Sequence, residues 1–128
     1  MADKNEQLQA VTVKIGIGKI RRHVFLCTGP KCCTPEVGQE AWETLKQKLK
    51  DVGLSTGDNV CQRTRAGCLR ICCHGPTALV YPEGPWYHGM TADKIDRFVQ
   101  QHLIEGKPIE EWIFAENPLP NPTIQAPP

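Results

Sequence analysis

The stretch Gly67-Cys-Leu-Arg-Ile-Cys-Cys-His-Gly-Pro-Thr-Ala-Leu-Val-Tyr-Pro-Glu-Gly-Pro-Trp-Tyr87 joins two signals: a loop with a C-x3-C pair and, directly behind it, two β-prone runs separated by turn formers. Thr77-Ala-Leu-Val-Tyr81 and Pro85-Trp-Tyr-His88 are rich in β-branched and aromatic residues, and Pro82 and Gly84 punctuate them. That pattern predicts a β-hairpin. Strand alternation sends Trp86 and Tyr87 to opposite faces, one into the core and the other toward solvent.

Upstream of this stretch, Asn59-Val-Cys-Gln-Arg-Thr-Arg65 reads as a short strand leading into the cysteine loop of residues 66–76. Arg22-His-Val-Phe-Leu26 is a further strand, and it delivers Cys27 at its carboxyl end. Thr34, Pro35 and Glu36 then supply an N-cap, a proline at the first helical position and an acid in the first turn. The helix they open runs to about Val52. Val37, Ala41, Leu45 and Leu49 form its buried stripe, Trp42 and Val52 widen it, and Gly53 closes it. At the N-terminus, residues 1–10 are polar and predict disorder, while Val11, Val13, Ile15 and Ile17 alternate with other residues and predict a strand over 11–17. Downstream of the hairpin, Thr91 caps a helix in which Ile95, Phe98, Val99 and Leu103 share a face, ending at Gly106. Five prolines among residues 117–128 predict an extended or disordered tail.

The order is β-α-β, cysteine loop, β-β-α. It predicts an α/β (α+β) fold: a mixed four-stranded sheet flanked by helices, with parallel first strands and an antiparallel hairpin strand. The chain divides into an N-terminal extension (1–20), a folded domain (21–116) and the Pro-rich tail (117–128). The 40% apolar and 23% charged content is that of a soluble globular protein with one core. No signal peptide precedes the domain and no run approaches a membrane span, so the expected location is cytoplasmic. A net charge of +1 offers no general attraction for nucleic acid or membrane.

Seven cysteines carry the chemistry. In a reducing compartment an odd number argues against a disulfide framework and for metal binding or thiol chemistry. Cys27 and Cys32 form a C-x4-C pair, and Cys68 and Cys72 the C-x3-C pair, each on its own Gly/Pro-bearing loop. Two thiolate pairs are what a binuclear iron centre requires, two thiolates to each iron of a [2Fe-2S] cluster. A dithiol oxidoreductase would need C-x-x-C, and no two cysteines stand three apart. Plant-type ferredoxin spacing fails at its third member, and a Rieske centre lacks its second Cys/His pair. A structural zinc site of four thiolates remains compatible with the spacing.

Residues 22–106, about two thirds of the chain, resemble the thioredoxin-like [2Fe-2S] ferredoxins, and the likeness is carried above all by the stretch from Gly67 to Tyr87. The C-x4-C opening also resembles the small peripheral cluster-bearing subunit of bacterial respiratory NADH dehydrogenase and its counterpart in bidirectional hydrogenases. Those relatives carry a helical segment ahead of the ferredoxin part. Here the preceding residues read as non-helical, so a freestanding carrier is the better match. The resemblance implies a thioredoxin-like fold, one [2Fe-2S] cluster per chain, one-electron transfer between redox proteins, a homodimer in at least some members, and no enzyme activity. The alternatives are a zinc-stabilised interaction module and an electron-transfer subunit of a larger redox complex.

The family pattern falls on Cys27, Cys32, Cys68 and Cys72. Cys33 and Cys73 directly follow two of these, so a shift of one residue would offer the metal a different thiolate. Cys32 is preferred because Cys33 abuts the Thr34 cap and suits a small buried role; Cys72 alone keeps C-x3-C. Cys61 reads as a strand cysteine packed as a small hydrophobe. Gly29, Gly67 and Gly75 let the chain bend closely around the site, Pro76 stands where thioredoxin-like folds often have a cis proline, and His74 reads as a loop residue rather than a ligand. Lys31, Arg63, Arg65 and Arg70 lie in or beside the cysteine loops, whereas Glu105, Glu110, Glu111 and Glu116 gather toward the far end.

Overall fold

A computed structural model describes residues 3–120. Strands β1 (Ile20–Cys27), β2 (Val60–Ala66), β3 (Thr77–Tyr81), β4 (Pro85–Tyr87) and β5 (Ile113–Glu116) form one sheet in the order β2-β1-β3-β4-β5. β1 and β2 are parallel and the other pairings antiparallel. Helix α1 (Lys4–Ile15) precedes β1, α2 (Pro35–Asp51) links β1 to β2, and α3 (Ala92–Arg97) continues into a π-helical segment, Phe98–Ile104.

The predicted β-α-β and β-β-α order is present, with three corrections. Residues 11–17 are not a strand and residues 4–10 are ordered: they build α1, whose first turn is capped by the Asp3 carboxylate accepting from Glu6 N–H at 2.8 Å. Good helix formers from Lys4 to Ala10 outweigh the alternation of Val11, Val13 and Ile15, which has no neighbouring strand to reward it. Gly16, at φ 88°, ends the helix. The sheet has five strands rather than four, because Ile113–Glu116 pairs with β4 after a 3-10 turn at Glu110–Trp112. The closing helix reaches its expected end at Gly106 only by widening to π geometry. Of the predicted tail, residues 121–128 lie outside the described residues.

One face of the sheet carries the core. Val24, Leu26, Ala78, Val80 and Tyr87 pack against Ala41, Leu45 and Leu49 of α2 and against Ile95, Phe98, Val99 and Leu103 of the last helix. The α2 stripe matches its sequence periodicity, except that Val37 is only half-buried. The opposite face bears His23 stacked on Phe25 at 4.2 Å, Phe25 edge-on to Tyr81, and Trp86 edge-on to Phe114. Trp86 and Tyr87 do part to opposite faces, Tyr87 being fully buried and Trp86 half-buried.

A buried polar chain pins the last helix to β4. Ile109 N–H donates to Tyr87 Oη at 3.0 Å, which leaves the phenol to donate to His102 Nδ1 at 2.8 Å. The His102 proton then sits on Nε2 and is donated to Glu83 Oε1 at 2.8 Å, an oxygen that Arg22 Nε also reaches at 2.8 Å. The histidine is therefore held neutral. Burial lowers its pKa from 6.5, outweighing the upward pull of Glu83. A depressed histidine pKa favours folding in full only above the unfolded value, so stability is expected to fall as pH drops below 6.5, until His102 itself protonates in the fold. Urea midpoints of wild type and His102→Gln measured at several pH values check this: the slope between pH ~6.5 and ~5 should be shallower in the variant, what remains coming from His23, whose pKa burial also lowers. Equal slopes would remove His102 from the account.

Candidate metal centre

The two cysteine pairs meet because of strand direction. Parallel pairing carries the carboxyl ends of β1 and β2 to one edge, where Cys27 stands opposite Ala66, and antiparallel β3 begins at that edge with Thr77 opposite Cys27. The loops 28–34 and 67–76 leave from there side by side. They enclose a cavity of about 290 Å³ lined by Cys27, Pro30, Lys31, Cys32, Gly67, Cys68 and Cys72. All four sequence-predicted cysteines border it. Among the described residues no three His, Cys, Asp or Glu side chains close on a single point as one ion would require. The thiols act on one another instead within each loop, Cys32 on Cys27 and Cys33, and Cys68 on Cys72.

The pairs differ in their access to water. Cys27 and Cys32 are 3% and 6% exposed, while Cys68 and Cys72 are open to solvent. Burial raises the Cys27 pKa, against backbone N–H groups of Gly29 and Leu69 that lower it. The Cys68 hydrogen bond, more than burial, raises Cys72, while Lys31 lowers it. Arg70 N–H points at Cys68 Sγ, 3.3 Å away. Backbone dipoles and Lys31 thus offset part of an upward shift that otherwise holds Cys27 and Cys72 as thiols.

The loops are locked by close backbone approaches. A Cβ on Gly29 would lie 1.8 Å from Gly67 O, and one on Gly75 would lie 1.9 Å from Cys32 Sγ. Gly67 differs from its expected role, since a Cβ there meets nothing within 4 Å. Gly75 N–H donates to Cys32 O at 2.9 Å, tying the second loop across the first. Arg70, Cys72 and His74 take left-handed φ values of 70°, 56° and 51°, so every second residue turns the loop back around the cavity. The Gly75–Pro76 bond is cis.

The remaining cysteines fall outside the cavity. Cys33 is half-buried, its thiol 3.2 Å from where a Gly38 Cβ would stand, and burial raises its pKa. Cys73 is exposed and borders a different groove, with Ile71, His74, His88 and Phe114. Cys61 lies inside β2, where burial pushes its pKa up to about 12. Arg65 is committed to Thr28 and Gln39, leaving Lys31 and Arg70 as the exposed cations beside the opening. Thr77 is a site residue the sequence reading missed: its fully buried hydroxyl lies 3.6 Å from Cys32 Sγ. A polar residue opening an otherwise apolar strand directly behind the loop was its signal.

No family model matches the chain. A 2Fe-2S ferredoxin of Clostridium pasteurianum is 32% identical over 97 residues, 70% of this chain and 92% of that protein. A putative 2Fe-2S ferredoxin of Priestia megaterium is 32% identical, across 75% of this chain and 72% of its own length. The solved thioredoxin-like [2Fe-2S] ferredoxin of Aquifex aeolicus superposes with a TM-score of 0.64 at 27% identity, covering 77% of this chain and 94% of that one. With 32% identity over 92% of the clostridial ferredoxin's length and the shared fold of the solved one, the chain belongs to the thioredoxin-like [2Fe-2S] ferredoxin family.

Proposed function

We propose that this protein is a one-electron carrier holding one [2Fe-2S] cluster through Cys27, Cys32, Cys68 and Cys72, with no enzyme activity of its own. The observation that carries this reading is the lining of a single cavity by two thiol pairs from two loops. The donor set fits the group: four soft sulfurs in two pairs, approached by backbone N–H groups. When bound, such a cluster supplies reversible one-electron transfer. The chain's own part is to exclude water from the Cys27/Cys32 side, spread negative charge through the N–H groups of Gly29, Leu69 and Arg70, and leave the Cys68/Cys72 side open to a redox partner. Lys31 and Arg70 at that opening suit a partner with an acidic contact face.

The cluster-binding domain is residues 21–116. A homodimer is supported by the sheet face opposite the core, where Phe25, Tyr81, Trp86 and Phe114 form an aromatic surface that no helix among the described residues packs against. Among the described residues no helix is long and apolar enough to cross a membrane and all seven cysteines are free, which supports a cytoplasmic location. One observation favours a second reading, the electron-transfer subunit of a larger complex: α1 is a helix ahead of the domain with no buried residue. Native size in a cell extract separates a small carrier from a subunit.

Anaerobically purified protein is expected to be red-brown, with iron and acid-labile sulfide equimolar at about two of each per chain, and to take up one electron on reduction. A colourless protein holding stoichiometric zinc after iron-replete expression would sink the proposal in favour of the zinc module.

A further inference from the structure

Among the described residues Thr77 is the only fully buried hydroxyl at the centre, at the head of β3 and in register with Cys27. Its one hydrogen-bonding partner among the described residues is Cys32 Sγ at 3.6 Å. With a thiol at Cys32, the S–H has two acceptors at that distance, Thr77 Oγ1 and Cys27 O. Once the sulfur is a metal-bound thiolate it has no proton to give. The Cys27 carbonyl then faces it as a second acceptor, and Thr77 is the group on that side with a proton to offer. A buried hydroxyl left without a partner is costly, and the Thr O–H rotates freely about its C–O bond, so the burial itself turns the donor toward sulfur.

We infer that Thr77 is a potential-setting residue: its O–H donates to the Cys32 thiolate and holds the reduction potential of the centre above the value that the cysteines and backbone alone would set. The inference rests on the proposed ligand set, with Cys32 as the buried thiolate. One electron added to the bound centre increases the negative charge on its sulfurs, and a donor to sulfur is therefore bound more strongly in the reduced state than in the oxidised one. No covalent bond forms or breaks, the proton stays on Oγ1, and the electron comes from the reductant. Because Thr77 is buried, this contribution is screened little by salt, unlike that of the exposed Lys31 and Arg70.

The test is a potentiometric titration of Thr77→Val, Thr77→Ala and Thr77→Ser, each first assayed for iron, sulfide and visible spectrum so that loss of the ferredoxin reading is seen before any potential is compared. Val keeps the shape without the hydroxyl, Ala removes both, and Ser keeps the hydroxyl with less bulk. The expected pattern follows the hydroxyl: Val and Ala both shift the oxidised/reduced ratio at a given ambient potential toward oxidised by up to about tenfold, or about 59 mV for one electron, while Ser stays close to wild type. The terminal iron–sulfur stretching bands in resonance Raman spectra should move in Val and Ala and not in Ser. A pattern that follows volume, with Val like wild type and Ala and Ser displaced together, overturns the assignment, as does loss of the cluster in all three. If Val fails to fold, Ala against Ser still decides between hydroxyl and volume.

Discussion

Serine at Cys27, Cys32, Cys68 or Cys72 is expected to abolish the visible spectrum or displace its bands strongly, whereas Cys33→Ser, Cys61→Ser and Cys73→Ser keep a near-native one. A serine oxygen is a harder and far less acidic donor than a thiolate, so a site built for soft ligands loses affinity even where the geometry survives. The two buried positions should suffer most, because an alkoxide or an unpaired hydroxyl at Cys27 or Cys32 has little water to solvate it. Register is what this series decides. Cys33 and Cys73 lie one residue from two of the proposed ligands, but neither lines the cavity: Cys73 borders another groove, and Cys33, though close enough to act on Cys32, is half-buried beside Gly38. Cys61→Ser should instead cost about 1–3 kcal/mol of stability with the spectrum intact, since it puts a hydroxyl into a buried strand position. Spectrum, iron content and urea midpoint for all seven variants provide the check. Retention of the native spectrum in Cys32→Ser together with its loss in Cys33→Ser would move the ligand by one residue.

The second large effect needs no change at any cysteine. Gly75→Ala is expected to prevent cluster incorporation, because its methyl would stand 1.9 Å from Cys32 Sγ and within 2.7 Å of Cys32 O. Carbon and sulfur pack at about 3.5–4.0 Å, so Cys32 or the whole second loop must retreat by more than an ångström. A displacement of that size takes one thiolate out of bonding distance of iron. Gly29→Ala should act alike from the other side, driving the loops apart at Gly67 O. Gly67→Ala is the milder change within the same loop pair: its Cβ would meet no protein atom within 4 Å, and, since Gly67 lines the cavity, any loss of iron there would come from crowding of the cluster and not from parting of the loops. Iron and sulfide content of the three purified variants reads the outcome directly. Full incorporation in Gly75→Ala would mean that the two loops lie farther apart than the close approach at Gly75 indicates.

Local physics made much of this protein legible from its residues alone. The α2 stripe, its Thr34 cap and Pro35 start, the turn at Pro82–Gly84 and the opposite faces of Trp86 and Tyr87 are set by interactions within a few residues, so period and turn chemistry suffice to read them. The paired cysteine spacings pointed to a binuclear centre for the same reason: a short loop between two ligands constrains both whatever the rest of the chain does. Three features depended on distant partners. Residues 11–17 alternate like a strand, but a strand needs a neighbour to hydrogen-bond with and a helix does not, so α1 forms where no strand pairs with them. Ile113–Glu116 is too short to announce itself, and becomes β5 only because β4 offers it an edge. The assembly of the centre was likewise invisible. That Cys27 and Cys32 are buried while Cys68 and Cys72 face solvent, and that Thr77 lies beneath Cys32, follows from parallel β1 and β2 ending at the edge where β3 begins, a pairing of segments far apart in sequence that only the tertiary fold selects.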